Sequence, residues 1–403
     1  MIKQEIIDRI ISDVSIEDVA RDEGISFTKE HGKKKWACCP FHKEKTASFY
    51  VDTATNCWRC FGSCRSGGNV ISLYRKLKNG LPFPIACKEL AKKYLNEDIE
   101  DDYKPSKEDE EKQKEQEAMR IVLTYAQSYF EECMSAVGPA SIKAREAVRK
   151  RWGADSIATF GIGYAPRDGF IEWAKRKQLD LDILEQVGLI GDGERGKFAM
   201  LRDRYTIPIY DKMSRVIGFT ARTLSEREDI CKYLNLKNSP IYHKNTSVFG
   251  INYAQKEARL KDKFYLVEGA PDVIRLQSIG ILNTVASLGG AWTENQLKQL
   301  YKLSHKVTFI PDADTQKPGN EFPAGTANVI ANGRAALQAG FTVNVREIPV
   351  DYPAAKKEDP DSWIVDIGHF QQMKEEEFIF WYCRRRYWPT AEDIEEFTTE
   401  DRL

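Results

Sequence analysis

Phe264-Tyr265-Leu266-Val267-Glu268-Gly269-Ala270-Pro271-Asp272 and Lys306-Val307-Thr308-Phe309-Ile310-Pro311-Asp312-Ala313-Asp314 decide how this chain is read. Each is a short apolar run that ends in acids. Around them the spacing predicts helices over 271–279, 293–301 and 327–339 and strands over 283–286 and 342–348. Apolar runs that alternate with helices predict a parallel sheet with helical crossovers. In such sheets chemistry collects beyond the carboxyl ends of the strands. Residues two apart in an extended chain point the same way, so Asp312 and Asp314 are placed to converge with Glu268. A solitary acid at a strand end is ordinarily a solvated loop residue or a helix cap. Three at matching strand ends make a hard-oxygen site for Mg2+ or Mn2+ and phosphate, a site for phosphoryl transfer.

A second cluster lies near the amino terminus. Five of the nine cysteines fall between positions 38 and 64. Cys39-Pro40-Phe41-His42 and Cys60-Phe61-Gly62-Ser63-Cys64 form two close pairs of N/S donors, the requirement of one tetrahedral structural Zn2+. Cys39, His42, Cys60 and Cys64 are the preferred set, because Gly62 supplies a turn between the last two. Cys38 and Cys57 remain alternates. Lys33, Lys34, Lys35, Lys43, Lys45, Arg59 and Arg65 are interleaved here with Trp36, Phe41, Phe49, Tyr50, Trp58 and Phe61. Bases beside stacking rings suit single-stranded nucleic acid, although the same rings also suit a small core.

The 403 residues carry a net charge of only −1, with 42% hydrophobic and 30% charged side chains, which argues at first against a polyanionic partner. Divided along the chain, the charge is +6 over 1–95, −7 over 96–117, +7 over 118–350 and −7 over 351–403. Two basic blocks are masked by two acidic ones. We therefore expect a multidomain α/β protein: a zinc-ribbon-like domain over 1–96, a charged, partly helical linker over 97–117, and a basic α+β subdomain over 118–259. A parallel-sheet domain over 260–350 and an acidic, mainly helical segment over 351–403 follow. Helical spacing is also read over 4–19, 73–95, 120–137, 171–187 and 254–261, with strands over 205–210 and 215–222. No apolar run approaches the ~18 residues of a membrane span. The first residues, broken early by Glu5 and Asp8, do not read as a secretory signal, so a cytosolic protein is expected.

At this point the residues carry a resemblance. Cys39-Pro-Phe-His-x-Glu44-Lys45-Thr46 with Gly67-Gly68-Asn69-Val70 is similar to the zinc domain of DnaG-type DNA primases, including phage and mobile-element relatives. Phe160-Gly-Ile-Gly-Tyr-Ala-Pro166, Arg202-Asp-Arg204, Gly218-Phe-Thr-Ala-Arg222, Lys232-Tyr-Leu-Asn235 and Tyr242-His-Lys244 resemble their basic subdomain. Glu268-Gly-x-x-Asp272 and Asp312-x-Asp314 resemble the TOPRIM fold, a Rossmann-like sheet with flanking helices. The resemblance covers about Ile6 to Trp363. It implies that Glu268, Asp312 and Asp314 bind catalytic divalent metal, with Asp272, Asp359 and Asp361 nearby. It also implies that Arg202, Arg204, Arg222, Lys232 and Lys244 hold nucleoside triphosphates or the template. The partners so implied are a single-stranded DNA template, NTPs and a replicative helicase.

This sequence departs from the family pattern in three places. Leu236-Lys237-Asn238 intervenes before Ser239-Pro240, nine residues from Thr315 to Pro323 follow Asp314 before Ala324-Gly325, and Cys60 and Cys64 are three residues apart instead of two. Gly191-Asp-Gly-Glu-Arg-Gly-Lys197 imitates a phosphate loop, but Phe198 stands where a Mg2+-binding hydroxyl belongs, so a hairpin turn is expected. The activity implied is synthesis of short RNA primers by two-metal nucleotidyl transfer. A TOPRIM nuclease or topoisomerase, and a non-catalytic zinc-dependent single-strand binder, are the alternatives.

Overall fold

The computed structural model describes residues 2–62, 64, 66–78, 80–99, 107–194, 196–227 and 229–387, with side chains left aside at 107–110. The chain forms two compact units, Met1–His243 with Ile251–Lys256, and Lys244–Gly250 with Glu257–Leu403.

The first unit begins with α1 (Gln4–Asp13) and α2 (Ile16–Asp22), where the apolar stripe alone predicted one helix. The break is at Ser15, whose hydroxyl accepts the Asp18 amide at 3.3 Å and offers the backbone a cap in place of continued helix. An antiparallel meander follows, β1 (Lys29–His31), β2 (Lys34–Ala37), β3 (Phe49–Asp52), β4 (Cys57–Cys60) and β5 (Gly67–Asn69), paired in sequence order. Helices α3 (Val70–Leu77) and α4 (Phe83–Leu90) pack on it, separated at the Gly80–Pro82 bend. Ile10, Ile16, Phe49, Ile71, Leu73 and Leu90 are fully buried between these elements.

Part of the charged stretch over 97–117 lies outside the described residues, namely 100–106. Its remainder opens a 29-residue helix, α5 (Lys107–Ser135). Lys, Glu and Gln have good helix propensity, and the stretch is continuous with the buried stripe Met119, Val122, Leu123, Ala126 and Phe130 that anchors it. Helices α6 (Pro139–Trp152) and α7 (Asp155–Phe160) lead to β6 (Gly163–Ala165), and α8 (Phe170–Arg176) and α9 (Leu181–Gln186) to the hairpin β7 (Ile190–Gly193) and β8 (Gly196–Ala199). The phosphate-loop look-alike is thus a hairpin, as its sequence predicted. Strands β9 (Arg204–Tyr210), β10 (Val216–Thr223) and β11 (Tyr233–Asn235) complete an antiparallel sheet of order β11-β10-β9-β6. Helix α10 (Ile251–Lys261) follows, and the division between the units falls within it.

The second unit is built on a sheet of order β13-β12-β14-β15-β16, formed by β12 (Phe264–Val267), β13 (Thr284–Ala286), β14 (Lys306–Phe309), β15 (Thr342–Arg346) and β16 (Glu375–Glu377). The first four are parallel, joined by α11 (Ala270–Ser278), α12 (Glu294–Tyr301) and α13 (Ala324–Gln338). Beyond 350 the chain is mainly helical, with α14 (Pro360–Trp363), α15 (Ile367–Gln372) and α16 (Phe378–Tyr387). It also returns to the sheet, because β16 pairs antiparallel with β15. A division at 350 therefore runs through one compact unit.

Phe378 and Trp381 are buried core, with ring centroids 5.9 Å apart, whereas Tyr382 is partly exposed and accepts a hydrogen bond from Arg334 at 3.0 Å. Trp388 lies outside the described residues. Trp381→Ala is expected to destabilise the second unit by about 3–5 kcal/mol, read as a lower midpoint in urea unfolding followed by circular dichroism. Among the described residues no helix is long and apolar enough to cross a membrane.

Candidate active site and metal centre

Hairpin geometry assembles the first cluster. Cys60 ends β4 and Cys64 lies just beyond it, while Cys39 and His42 lie between β2 and β3. The donor atoms of Cys39, His42, Cys60 and Cys64 all lie within 4.8 Å of one another. Cys57 is not among them, since its sulfur faces Ser214 Oγ at 3.1 Å, and Cys38 is exposed. Hydrogen bonding from the Cys60 thiol pulls the Cys64 thiol down, while burial pushes Cys39 up.

The arrangement fits Zn2+ in one further respect. His42 Nδ1 is buried with no hydrogen-bond partner, while Nε2 lies 2.8 Å from Glu44 Oε2. A carboxylate on the far ring nitrogen fixes the tautomer that leaves the other nitrogen to a metal. Glu44 also accepts the Cys39 amide at 2.6 Å and the Ser48 hydroxyl at 2.5 Å. Burial works against its ionisation, but the bonds from Ser48, Cys39 and His42 outweigh it and hold the carboxyl at about 2. Gly62 is required here, because a Cβ at that position would lie 2.4 Å from His42 Nε2. Glu44→Ala is expected to weaken zinc affinity roughly 10- to 100-fold, measured by competition with a chromogenic chelator.

The aromatic residues around this cluster divide by strand face. Phe49 and Trp58 are buried and pack with Phe41. Trp36, Tyr50 and Phe61 stack on the other side, with centroids 4.9–6.2 Å apart, and Phe61 is 38% exposed. Lys34 lies 5.3 Å from the Tyr50 ring and Arg59 lies 5.4 Å from that of Phe61. Arg59 also forms a largely buried ion pair with Glu131 of α5 and donates to Tyr210 Oη at 3.3 Å. Arg65 lies outside the described residues.

On the antiparallel sheet, Arg222 stands over the Tyr233 ring at 5.9 Å and donates to Tyr205 Oη at 3.5 Å. Arg151, near the end of α6, donates to Tyr205 Oη at 3.1 Å and to Tyr233 Oη at 2.8 Å. Sequence reasoning passed over Arg151; its signal was only that it is one of several bases ending α6. Arg202 and Lys232 are exposed, with Arg202 5.4 Å from the Phe198 ring. Arg204 is buried and donates to the Lys232 carbonyl at 3.3 Å, which ties it to the chain leading into β11. Lys244 belongs to the second unit, where its aliphatic stem lies against Gly289.

The acids collect beyond β12 and β14, which are adjacent and parallel with Leu266 beside Phe309. Glu268 follows β12 directly and accepts from Asn328 Nδ2 at 3.3 Å. Burial, then the Glu268 charge, push Asp312 up to about 7 against the pull of Lys357. Asp314 Oδ2 accepts the Gly325 amide at 2.8 Å. Gly325 returns to the acids despite the nine-residue insertion before it, and it must be glycine, since a Cβ would lie 2.3 Å from the Asp312 carbonyl.

Asp272 is buried, caps α11 through the Gly269 amide and accepts the Asp361 amide at 3.1 Å. Burial and then the charges of Asp312, Asp359 and Asp361 push it well above the usual carboxylate range. Asp359 caps α14 by accepting the Ser362 amide at 2.7 Å, and the buried Asp361 pairs with Arg275 at 3.6 Å. Six carboxylates thus share one edge of the sheet. Asp312 Oδ1 is buried with no hydrogen-bond partner, an orphan suited to a hard cation.

Three families match in order along the chain: the CHC2 zinc finger over 2–107, the N-terminal domain of the DNA primase catalytic core over 139–255, and Toprim-like over 265–364. The chain belongs to the DnaG-type primase family. Among DnaG-type primases, that of Pseudomonas putida is 34% identical over 323 residues, covering 78% of this chain and 47% of that one. The chain spans about half the length of the curated relatives it matches. The crystal structure of the zinc-binding and RNA polymerase domains of the Aquifex aeolicus primase superposes with a TM-score of 0.63 at 27% identity, covering 98% of this chain and 90% of that one. A DnaG primase catalytic domain bound to single-stranded DNA shares the fold, with a TM-score of 0.55 at 24% identity over 71% of this chain and 88% of that one.

Proposed function

We propose that this chain is a template-dependent primase, joining NTPs into a short RNA primer on single-stranded DNA. The observation that carries the reading is the gathering of Glu268, Asp312 and Asp314 beyond adjacent parallel strands of a Toprim-like sheet, in a chain that also bears a primase-type zinc finger. Glu268, Asp312 and Asp314 would hold Mg2+ or Mn2+, which would supply activation of the attacking 3′-hydroxyl and neutralisation of the leaving pyrophosphate. Asp272 and Asp361, buried and hydrogen-bonded to one another's segments, keep the acidic edge in shape. Gly325 and Asn328 of α13 orient Asp314 and Glu268.

Arg222 and Arg151, braced by Tyr205 and Tyr233, and the exposed Arg202 and Lys232 present positive charge to phosphates of the template or of the NTP. Trp36 and Phe61 offer rings on which bases of the single strand stack, with Lys34 beside them. Zn2+ held by Cys39, His42, Cys60 and Cys64 fixes that surface. A replicative helicase is the partner class that family membership suggests for supplying the template.

The test is de novo synthesis from labelled NTPs on single-stranded DNA with Mg2+ or Mn2+. Primer-length RNA is expected. DNA cleavage without synthesis favours the nuclease reading, and binding with no product under either metal favours the binding module.

A further inference from the structure

Lys357 is the feature of the acidic edge that the sequence motifs leave unexplained. Its Nζ lies 2.8 Å from Asp312 Oδ2 and 2.9 Å from Asp314 Oδ1, so one ammonium bridges two of the three acids read as metal ligands. The backbone holds it there. Ala313, between the two acids, pairs with Glu358, next to Lys357, through two hydrogen bonds of 2.8 and 2.9 Å. The Lys357 side chain is 56% exposed, so little packing holds it against the acids.

An ammonium this close to both carboxylates repels a divalent ion brought to the same acids, even one that takes the free Asp312 Oδ1. We propose that Lys357 is a resident counter-cation: it neutralises Asp312 and Asp314 in the metal-free protein and competes with a divalent ion for them. The inference rests on reading the acidic cluster as the metal site. It gives the chain two states at this edge. In one the acids are held together by the chain's own charge. In the other the ammonium is released on the solvent side of the acids, where phosphates of a metal-bound nucleotide would present. Loading of metal is then opposed by a fixed internal competitor, and anything that accepts the released ammonium favours loading.

The test is calorimetric titration of Mn2+ into the full zinc-loaded chain, without substrate, for the wild type and three variants. Lys357→Gln is expected to tighten Mn2+ binding about 5- to 30-fold, the scale of a coupling between two sites. Lys356→Gln makes the same change of net charge on the same loop, at a side chain that is 85% exposed and paired with Glu358. It is expected to change affinity by less than about twofold. The rise in melting temperature on adding saturating Mn2+ is expected to be larger for Lys357→Gln than for the wild type, because the metal-free state has lost its clamp. Unchanged or weaker affinity in Lys357→Gln, or equal tightening in Lys356→Gln, overturns the proposal. Asp312→Asn separates the two readings. If it binds Mn2+ as tightly as the wild type, the metal reading itself fails. If it loses Mn2+ while Lys357→Gln behaves as the wild type, only the counter-cation fails.

Discussion

Asp312→Asn is expected to lower primer synthesis by at least about 10³-fold while leaving single-stranded DNA affinity within about twofold of the wild type. The amide keeps the shape of the carboxyl but withdraws the charge nearest the centre of the acidic edge. Charge stabilisation is what phosphoryl transfer takes from its protein, so the loss falls on turnover rather than on binding of the template. The same substitution has a signature without substrate. Burial and Glu268 push the folded-state carboxyl up to about 7, against an ordinary value of 3.8. Between those values the folded chain holds a proton that the unfolded chain has lost, so metal-free stability falls as pH rises through that window. Asp312→Asn removes the effect. Its metal-free melting temperature is expected to exceed that of the wild type at pH 8 and to approach it at pH 5. A variant less stable than the wild type at pH 8 would show that the carboxylate is not strained by its neighbours.

Cys39→Ser and Cys64→Ser are expected to reduce bound zinc from about one per chain to below about 0.2, because structural zinc sites draw their large binding free energy from a complete ligand set. Cys57→Ser is expected to retain it. The distinction is geometric, since Cys57 turns its sulfur to Ser214 on a β-strand whose side chains alternate, while Cys60 turns to the donor cluster. Metal analysis of purified protein decides between the sets. Retention of zinc in Cys64→Ser with loss in Cys57→Ser would transfer the fourth ligand to Cys57. Loss of zinc is also expected to expose Phe49 and Trp58, read as a red shift of tryptophan emission, since the β2–β4 meander is closed by the metal-binding turns.

The parts of the structure that could be read in advance are those where local pattern and tertiary environment agree. Phe264–Val267 and residues 307–309 are mostly apolar because both faces of a parallel strand are largely covered, and their terminal acids are placed by strand geometry alone. The Cys-x-x-His and Cys-x-x-x-Cys spacings likewise act within one turn. What escaped reading was fixed by partners distant in sequence. Glu375-Glu376-Glu377 has little strand propensity, and only pairing with β15 makes it a strand. The charged stretch over 107–117 reads as partly helical, but its continuity with the rest of α5 comes from the buried stripe downstream. Lys357 lies in a loop with no motif of its own, and a two-bond bridge to Ala313 brings it to the acids. The six aromatics of the zinc finger showed their composition but not their faces, which needed the register of β2, β3 and β4 to sort.

That three-glutamate strand also bears on how copies of the protein behave toward one another. Without β16, the outer edge of β15 would present open amide and carbonyl groups in a row, a template on which a second chain can add. With it, the outermost strand carries carboxylates, of which Glu375 is held by Lys263 and Asn344 and Glu376 by Arg384. A three-residue strand whose side chains are already committed in this way is a poor template for a further chain. Loss of residues 375–387, which also takes Phe378 and Trp381 out of the core, should therefore announce itself as destabilisation together with self-association and precipitation at high concentration.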